Sequence, residues 1–181
     1  MPPAKIMIIR HAEKPEKGGA RAFDAWGEED KNSLIARGWQ RAGALVRFFN
    51  PLDGALTPGL ARPDHIYAAA ANKKINPSER SRQTVEPLAL SLTLHVDDRF
   101  TETQEEKMAA DALSRSGVVL ISWSHEAICK ITEAIAPGLA PEDWPDDRFD
   151  IVYVFDAQGD SWRFSQVPQQ LLPGDRTDVI G

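Results

Sequence analysis

Apolar and polar positions fall into blocks of two periods along this chain. Ile6-Met7-Ile8-Ile9 is a run without polar alternation, the pattern of a strand covered on both faces. His65 to Ala69, with Ile66-Tyr67-Ala68-Ala69 at its heart, and Val118-Val119-Leu120-Ile121 repeat it. Between such runs the spacing becomes helical: Trp39, Ala42, Leu45, Val46 and Phe49 predict a helix from Arg37 to Phe49, ended by Asn50-Pro51. Ser78 fits a helix N-cap, with Arg82 to Leu92 continuing that helix. Leu94-His95-Val96 alternates as a short strand, while Thr103 to Leu113 and Glu126 to Ile135 read as helices. Near the end, Ile151–Phe155 and Trp162–Phe164 flank the turn Asp156–Asp160 and predict a hairpin.

This order predicts a three-layer α/β/α sandwich, in which a mostly parallel central sheet ends in an antiparallel C-terminal hairpin. A single domain over residues 1–181 is expected. Residues 13–33 are polar and read as a long loop over the end of the first strand, with Trp26 expected to anchor it in preference to walling a binding site, and Asn32 or Ser33 to begin a short turn. Leu52–Pro63 is a proline- and glycine-containing connector. In the tail, Leu171 and Leu172 are expected to pack on the core and the last few residues to be loose.

Composition narrows the class of function. Hydrophobic residues make up 42% and charged residues 27%, as in ordinary soluble proteins. A net charge of −6 argues against a general polyanion-binding surface, so no nucleic acid is expected as partner. Met1-Pro2-Pro3-Ala4-Lys5 leads straight into the first strand without a signal-peptide pattern, and no long apolar span follows. A cytoplasmic protein without a membrane partner is the expectation. Cys129 is the only cysteine, which excludes an intrachain disulfide framework, and in its helical setting it reads as a small buried apolar residue. His11, His65, His95 and His125 show no metal-ligand spacing, so neither metal nor cofactor is expected.

The chemistry is concentrated where apolar runs stop. Arg10-His11 follows the first strand, at the carboxyl end where open α/β sheets place ligands. Arginine offers a planar donor fork suited to phosphate, and a neutral histidine offers a nitrogen nucleophile near pH 7. The pair points to phosphoryl transfer through a phosphohistidine. Residues 71–82 add Lys73, Lys74, Arg80 and Arg82 against Glu79 alone, a cationic mouth for a small phosphorylated substrate.

Three motifs in order extend this reading: Arg10-His11-Ala12 after the first strand, Arg80-Ser81-Arg82-Gln83-Thr84 after the second, and Ser124-His125 after the third. Together, from about Lys5 to Asp175, they resemble the histidine phosphatase superfamily, the clan of phosphoglycerate mutases and acid phosphatases. The resemblance implies a phosphoglycerate mutase-like fold, with His11 as nucleophile and Arg10, Arg80 and His125 around the transferring group. It aligns Arg80 with the family arginine, whereas Arg82 is free to pair with a neighbouring acid. His125 has to be protonated to add charge, which nearby carboxylates or a bound phosphate dianion would favour. Lys14 and Ser124 are further candidates for substrate contact, and Ser122 for a hydrogen bond near His125. The general acid stays open. Glu102 lies in Arg99-Phe100-Thr101-Glu102, which looks like the acid-bearing segment of the mutase branch, but Thr103-Gln104-Glu105-Glu106-Lys107 replaces the glycine-rich sequence that follows there. Glu105 therefore competes, as does Glu126, which occupies the place of the acid-phosphatase aspartate. Ala12 stands where the family has glycine, so a negative φ is expected there.

The reading that follows is a metal-independent phosphomonoesterase. The alternatives are a mutase-like phosphotransferase, a phosphatase of phosphohistidine or phosphotyrosine in proteins, and a non-catalytic phosphate-binding protein. A second copy of the chain is a candidate partner through the terminal apolar hairpin.

Overall fold

A computed structural model describes residues 3–181, so Met1 and Pro2 of the leading segment lie outside the described residues. The apolar runs become strands β1 (Lys5–Arg10), β2 (His65–Ala68) and β4 (Val118–Trp123), joined by a two-residue β3 (Val96–Asp97) and a hairpin of β5 (Ile151–Gln158) and β6 (Ser161–Pro168). Helices α1 (Ala36–Phe49), α2 (Arg80–Leu92), α3 (Glu105–Leu113) and α4 (His125–Ile135) alternate with them. The sheet order is β3-β2-β4-β1-β5-β6. β1, β2, β3 and β4 run parallel, whereas β5 lies antiparallel to both β1 and β6. The expected three-layer α/β architecture is therefore the one found.

Successive strand residues point to opposite faces, so an unbroken apolar strand feeds two cores. Ile6 and Ile8 join Val119, Ile121, Trp123, Tyr153 and Phe155 beneath α3 and α4. Met7 and Ile9 join Leu120, Val152 and Val154 beneath α1 and α2. β1 and β4 sit side by side in the middle of the sheet. Their carboxyl ends, with His11 and Ser124-His125 immediately beyond, are the best-buttressed positions the fold offers for chemistry.

Several boundaries differ from the sequence expectation for local reasons. Helix α2 begins at Arg80 with Glu79 as its cap residue; Ser78 sits one position earlier and its hydroxyl accepts the Arg80 N–H at 3.4 Å. The third edge strand starts at Val96 rather than Leu94, because Thr93 (φ +57) and Leu94 close the end of α2 by donating to the Ala89 carbonyl. Helix α3 starts at Glu105, since Thr103 takes φ +89 and cannot be helical. The hairpin is longer and tighter than expected: Gly159, with φ +62, and Asp160 form a two-residue loop. Glycine at the first central position suits a type II′ turn.

Three side-chain expectations are also corrected. Trp26 does not anchor the 13–33 loop and is 87% exposed. The Asp24 carboxylate accepts the Trp26 and Glu28 N–H groups and organises that turn, while the Trp39 indole donates to the Phe23 carbonyl and ties the loop to α1. Cys129 is part-buried rather than buried. Leu171 packs on the core as expected, yet the chain end is not loose. Ile180 is buried beneath the sheet, and its backbone exchanges two hydrogen bonds with the Gln166 side chain.

Truncating this anchor, Ile180→Ala, is expected to lower the unfolding free energy by about 2 kcal/mol, the lower end for a buried aliphatic side chain. Urea denaturation followed by tryptophan fluorescence measures it; an unchanged midpoint would mean that the tail does not contribute.

Candidate functional site

β1 carries its ladder past its last residue, for the His11 N–H donates to the Trp123 carbonyl at 2.9 Å. His11 thereby becomes a fixed backbone position at the sheet's carboxyl edge, 4% exposed. Its Nδ1 lies 2.7 Å from the Ala12 carbonyl oxygen. A carbonyl only accepts, so Nδ1 carries the proton and Nε2 keeps its lone pair. Burial pushes the imidazole pKa down to about 3, with the charges of Arg10, Arg80 and Lys14 adding to the effect. These three cations therefore act on His11 together, as the sequence pairs them.

The Gln83-Thr84 pair shows why it follows Arg80. Thr84 Oγ1 accepts the Ala12 N–H at 2.8 Å and donates to the Arg80 carbonyl at 2.7 Å, so α2 is pinned to the turn that follows His11. Gln83 accepts the Leu34 N–H and donates to Ser33 Oγ, docking the end of the long loop onto the same helix. Arg80 is the first residue of α2. It spends one donor on the Lys31 carbonyl at 3.2 Å, and its buried Nε has no partner among the described residues. Arg82 instead turns outward to Glu86 and Asp98, the acid pairing expected of it.

Arg10 is placed differently from the sequence expectation. Its buried guanidinium lies 3.8 Å over the Phe149 ring and donates through Nη1 to the carbonyls of Pro145 (3.4 Å), Asp146 and Arg148 (3.3 Å). Its Nη2 reaches Asp146 Oδ1 at 3.1 Å. Burial lowers its pKa to about 10, so it stays charged at neutral pH. Arg10 is thus first a strut for the 144–150 segment, with only the Nη2 edge and an unpartnered Nε left toward a ligand.

Ser124 and His125 open α4, whose N-terminus faces the same edge as that of α2. Helix N-termini present unpaired amides and partial positive charge, favourable to an anion. Ser124 Oγ, Ser122 Oγ and His125 Nδ1 are buried without partners among the described residues. His125 Nε2 lies 3.3 Å from Asp146 Oδ1. Burial and then Arg10 push the His125 pKa below its ordinary value, and Asp146 opposes them incompletely. Asp146 and Glu126 favour the protonated form, as expected of neighbouring carboxylates, but desolvation and Arg10 outweigh them.

The acid candidates separate by geometry. Glu102 accepts from Asn76 Nδ2 at 2.8 Å, and its charge is felt by Arg80. Glu105 is buried and holds the Thr103 N–H at 2.9 Å, supporting the positive-φ turn that follows Glu102. Glu126 is exposed in the first turn of α4. Glu102 is the one that the Arg80 side of the site brings in. Ala12 is absent from the positive-φ residues, as expected.

Sequence reasoning missed two groups. Asp146 meets Arg10, Lys14 (3.2 Å) and His125 with a single carboxylate oxygen, although no motif marks it in Asp143-Trp144-Pro145-Asp146-Asp147. Behind the site, Arg41 is fully enclosed between Glu13 and Asp175, donating to Glu13 Oε1 at 2.8 Å and to Asp175 Oδ1 at 2.7 Å. These bonds outweigh burial and hold its pKa above the ordinary arginine value. Gly38 lets α1 approach so closely that a Cβ there would lie 2.6 Å from the Glu13 carbonyl oxygen. Arg41 lies on the buried stripe with Gly38, Leu45 and Phe49, which is a signal the periodicity carried. Among the described residues no cluster of His, Cys, Asp and Glu is arranged to hold a metal ion.

No family model and no curated protein matches the sequence. Solved structures do match the fold. The protein histidine phosphatase SixA complexed with tungstate is 12% identical, with 91% of this chain and 97% of that chain covered and a TM-score of 0.54. The alpha-ribazole phosphatase from Shigella flexneri is 12% identical over 95% and 99% of the two chains, TM-score 0.54. Phosphoglycerate mutase from Bacillus anthracis str. Sterne is 12% identical over 91% and 92%, TM-score 0.53. The fold is therefore the phosphoglycerate mutase-like fold that these structures share.

Two outcomes follow from this geometry. Arg41→Ala leaves Glu13 and Asp175 buried without their partner and is expected to cost about 3–5 kcal/mol in denaturant unfolding. His11, held neutral with a pKa near 3, takes up its proton in the unfolded chain near 6.5. Between those values the unfolded state binds more protons, so stability is full above about pH 6.5 and declines as pH falls toward 3. The slope of unfolding free energy against pH should be shallower in His11→Gln, and equal slopes would contradict the buried neutral imidazole.

Proposed function

We propose that this protein is a phosphomonoesterase that hydrolyses a small phosphorylated molecule through a phosphohistidine on His11, without a metal. The observation that carries this reading is the His11 imidazole itself, with Nδ1 fixed on the Ala12 carbonyl and the ring held neutral among cations. A neutral nitrogen in a cationic setting is both nucleophilic and attractive to a phosphate dianion. The shared fold with phosphatases and a mutase agrees with it.

In the proposed reaction, His11 Nε2 attacks phosphorus in line as the bond to the leaving oxygen breaks. Charge on the transferring group is met by Arg80, Lys14 and the Nη2 edge of Arg10, with the open amides and Ser124 hydroxyl at the start of α4 as further donors. Positioning and charge stabilisation of this kind are what phosphoryl transfer demands of a protein. Removing one such preorganised donor costs about 2.7–4 kcal/mol in related chemistry. His125, drawn toward its protonated form by the incoming dianion, adds a charge only when substrate is present. Glu102 delivers the proton to the leaving alkoxide. Water then attacks the phosphohistidine as its proton passes to the Glu102 carboxylate, the P–N bond breaks, and inorganic phosphate leaves with His11 neutral and Glu102 protonated again.

Hydrolysis of p-nitrophenyl phosphate with excess chelator between about pH 5 and 8 tests the reading, a window spanning the ordinary imidazole titration. Wild type is expected to turn over and His11→Ala to lose at least about a thousandfold, as for other essential nucleophiles. Retained turnover in His11→Ala would overturn the phosphohistidine route. Glu102→Gln should spare p-nitrophenyl phosphate, whose leaving group needs no proton, and slow an alkyl monoester about 10²–10⁴-fold. Equal effects on both esters would remove Glu102 from the acid role.

A further inference from the structure

Asp146 brings one carboxylate against Arg10, Lys14 and His125 together. Its Oδ1 lies 3.1 Å from Arg10 Nη2, 3.2 Å from Lys14 Nζ and 3.3 Å from His125 Nε2. Two of these partners are shielded: the Arg10 side chain is fully buried and that of His125 is 13% exposed. The carboxylate itself is not shielded, with 71% of the side chain exposed. Its backbone is held, because the Asp146 and Arg148 carbonyls accept from Arg10 and the segment is braced by the Arg148–Asp150 ion pair at 2.7 Å. A short two-torsion side chain on a fixed backbone can leave these cations at little cost in entropy or in lost packing.

We propose that Asp146 is a tethered anion that occupies part of the phosphoryl subsite, and that an entering phosphate must displace it. The inference rests on the phosphoryl-site reading above and adds to it a residue that sets affinity. Because the competitor is part of the chain, it lowers the affinity of every oxyanion by one factor. The same competition favours departure of inorganic phosphate, since the carboxylate returns to the cations that the product releases. Hydrogen bonding to Lys14 holds the Asp146 pKa below the usual carboxylate range, so the tether is charged throughout the neutral range. His125 Nδ1 and Arg10 Nε, on two of the residues that the carboxylate meets, are buried and unpartnered among the described residues, hydrogen-bonding capacity that the carboxylate does not use.

Binding of inorganic phosphate and of vanadate to the full chain, measured by titration calorimetry at low ionic strength, tests this without turnover. Asp146→Asn, which keeps the shape and removes the charge, is expected to tighten both Kd values about three- to tenfold, the scale of a partly exposed charge interaction. Equal or weaker binding in the variant would overturn the proposal and make Asp146 a positioning residue for Arg10 and Lys14. Binding to neither protein would overturn it as well. A second measurement needs no variant. In a structure of wild type with tungstate, the Asp146 carboxylate should have left His125 Nε2; tungstate seated at Arg10 with that contact intact would overturn the tether. Tighter oxyanion binding in Asp146→Asn alongside turnover that survives His11→Ala would keep this inference and sink the phosphohistidine reading. His11-dependent turnover with unchanged phosphate affinity would do the reverse.

Discussion

The buried guanidinium of Arg41 joins three parts of the chain that are far apart in sequence. It clamps Glu13, two residues past His11, to Asp175 in the tail, and its Nη1 also donates to Gln169 at the end of the hairpin. Arg37 adds a bond to Glu13, and the Asp175 carboxylate accepts the Leu171 and Leu172 N–H groups. Enclosed charges are costly unless every partner is in place, so this cluster tolerates only one arrangement of the loop, the helix and the tail. The turn after β1 cannot shift without breaking it. The fixed direction of the His11 ring is a consequence.

A second buried arginine divides structure from chemistry on the other side of β1. Arg10 stabilises the 144–150 segment through three carbonyls and the Phe149 face, and that segment then presents Asp146 to the site. The residue that the motif marks for phosphate thus acts partly through scaffolding, leaving Arg80, Lys14 and the start of α4 as the more accessible anion donors. Strain is kept close by. Thr103 holds φ +89, unusual for a β-branched residue, directly after Glu102, and the buried Glu105 carboxylate secures it. A carboxylate, not a glycine, holds this turn.

Much of the fold could be read from the residues because unbroken apolar runs have few interpretations. Ile6–Ile9 and Val118–Ile121 had to be covered on both faces, and they became the two central strands. Errors gathered where a side chain's partner lies far away in sequence. Trp26 reads as an anchor of its loop, but Asp24 organises the turn through the backbone and leaves the indole in solvent. The last few residues read as loose, yet Gln166 meets Ile180. Asp146 carried no local signal, being one of several acids in a short polar stretch.

What the sequence by itself determined is the α/β order, the strand ends at which Arg10-His11 and Ser124-His125 appear, and the outward pairing of Arg82, all of which follow from periodicity and near neighbours. Only the tertiary structure decided that Arg10 is a strut, that burial holds His11 and His125 toward their neutral forms, and that Asp146 lies against the cations of the site. Those properties depend on desolvation and on contacts spanning more than a hundred residues, as between Arg10 and Asp146. Short-range pattern is set by the backbone's own periods; the charge state and the partner of a buried group are set by whatever the fold packs around it.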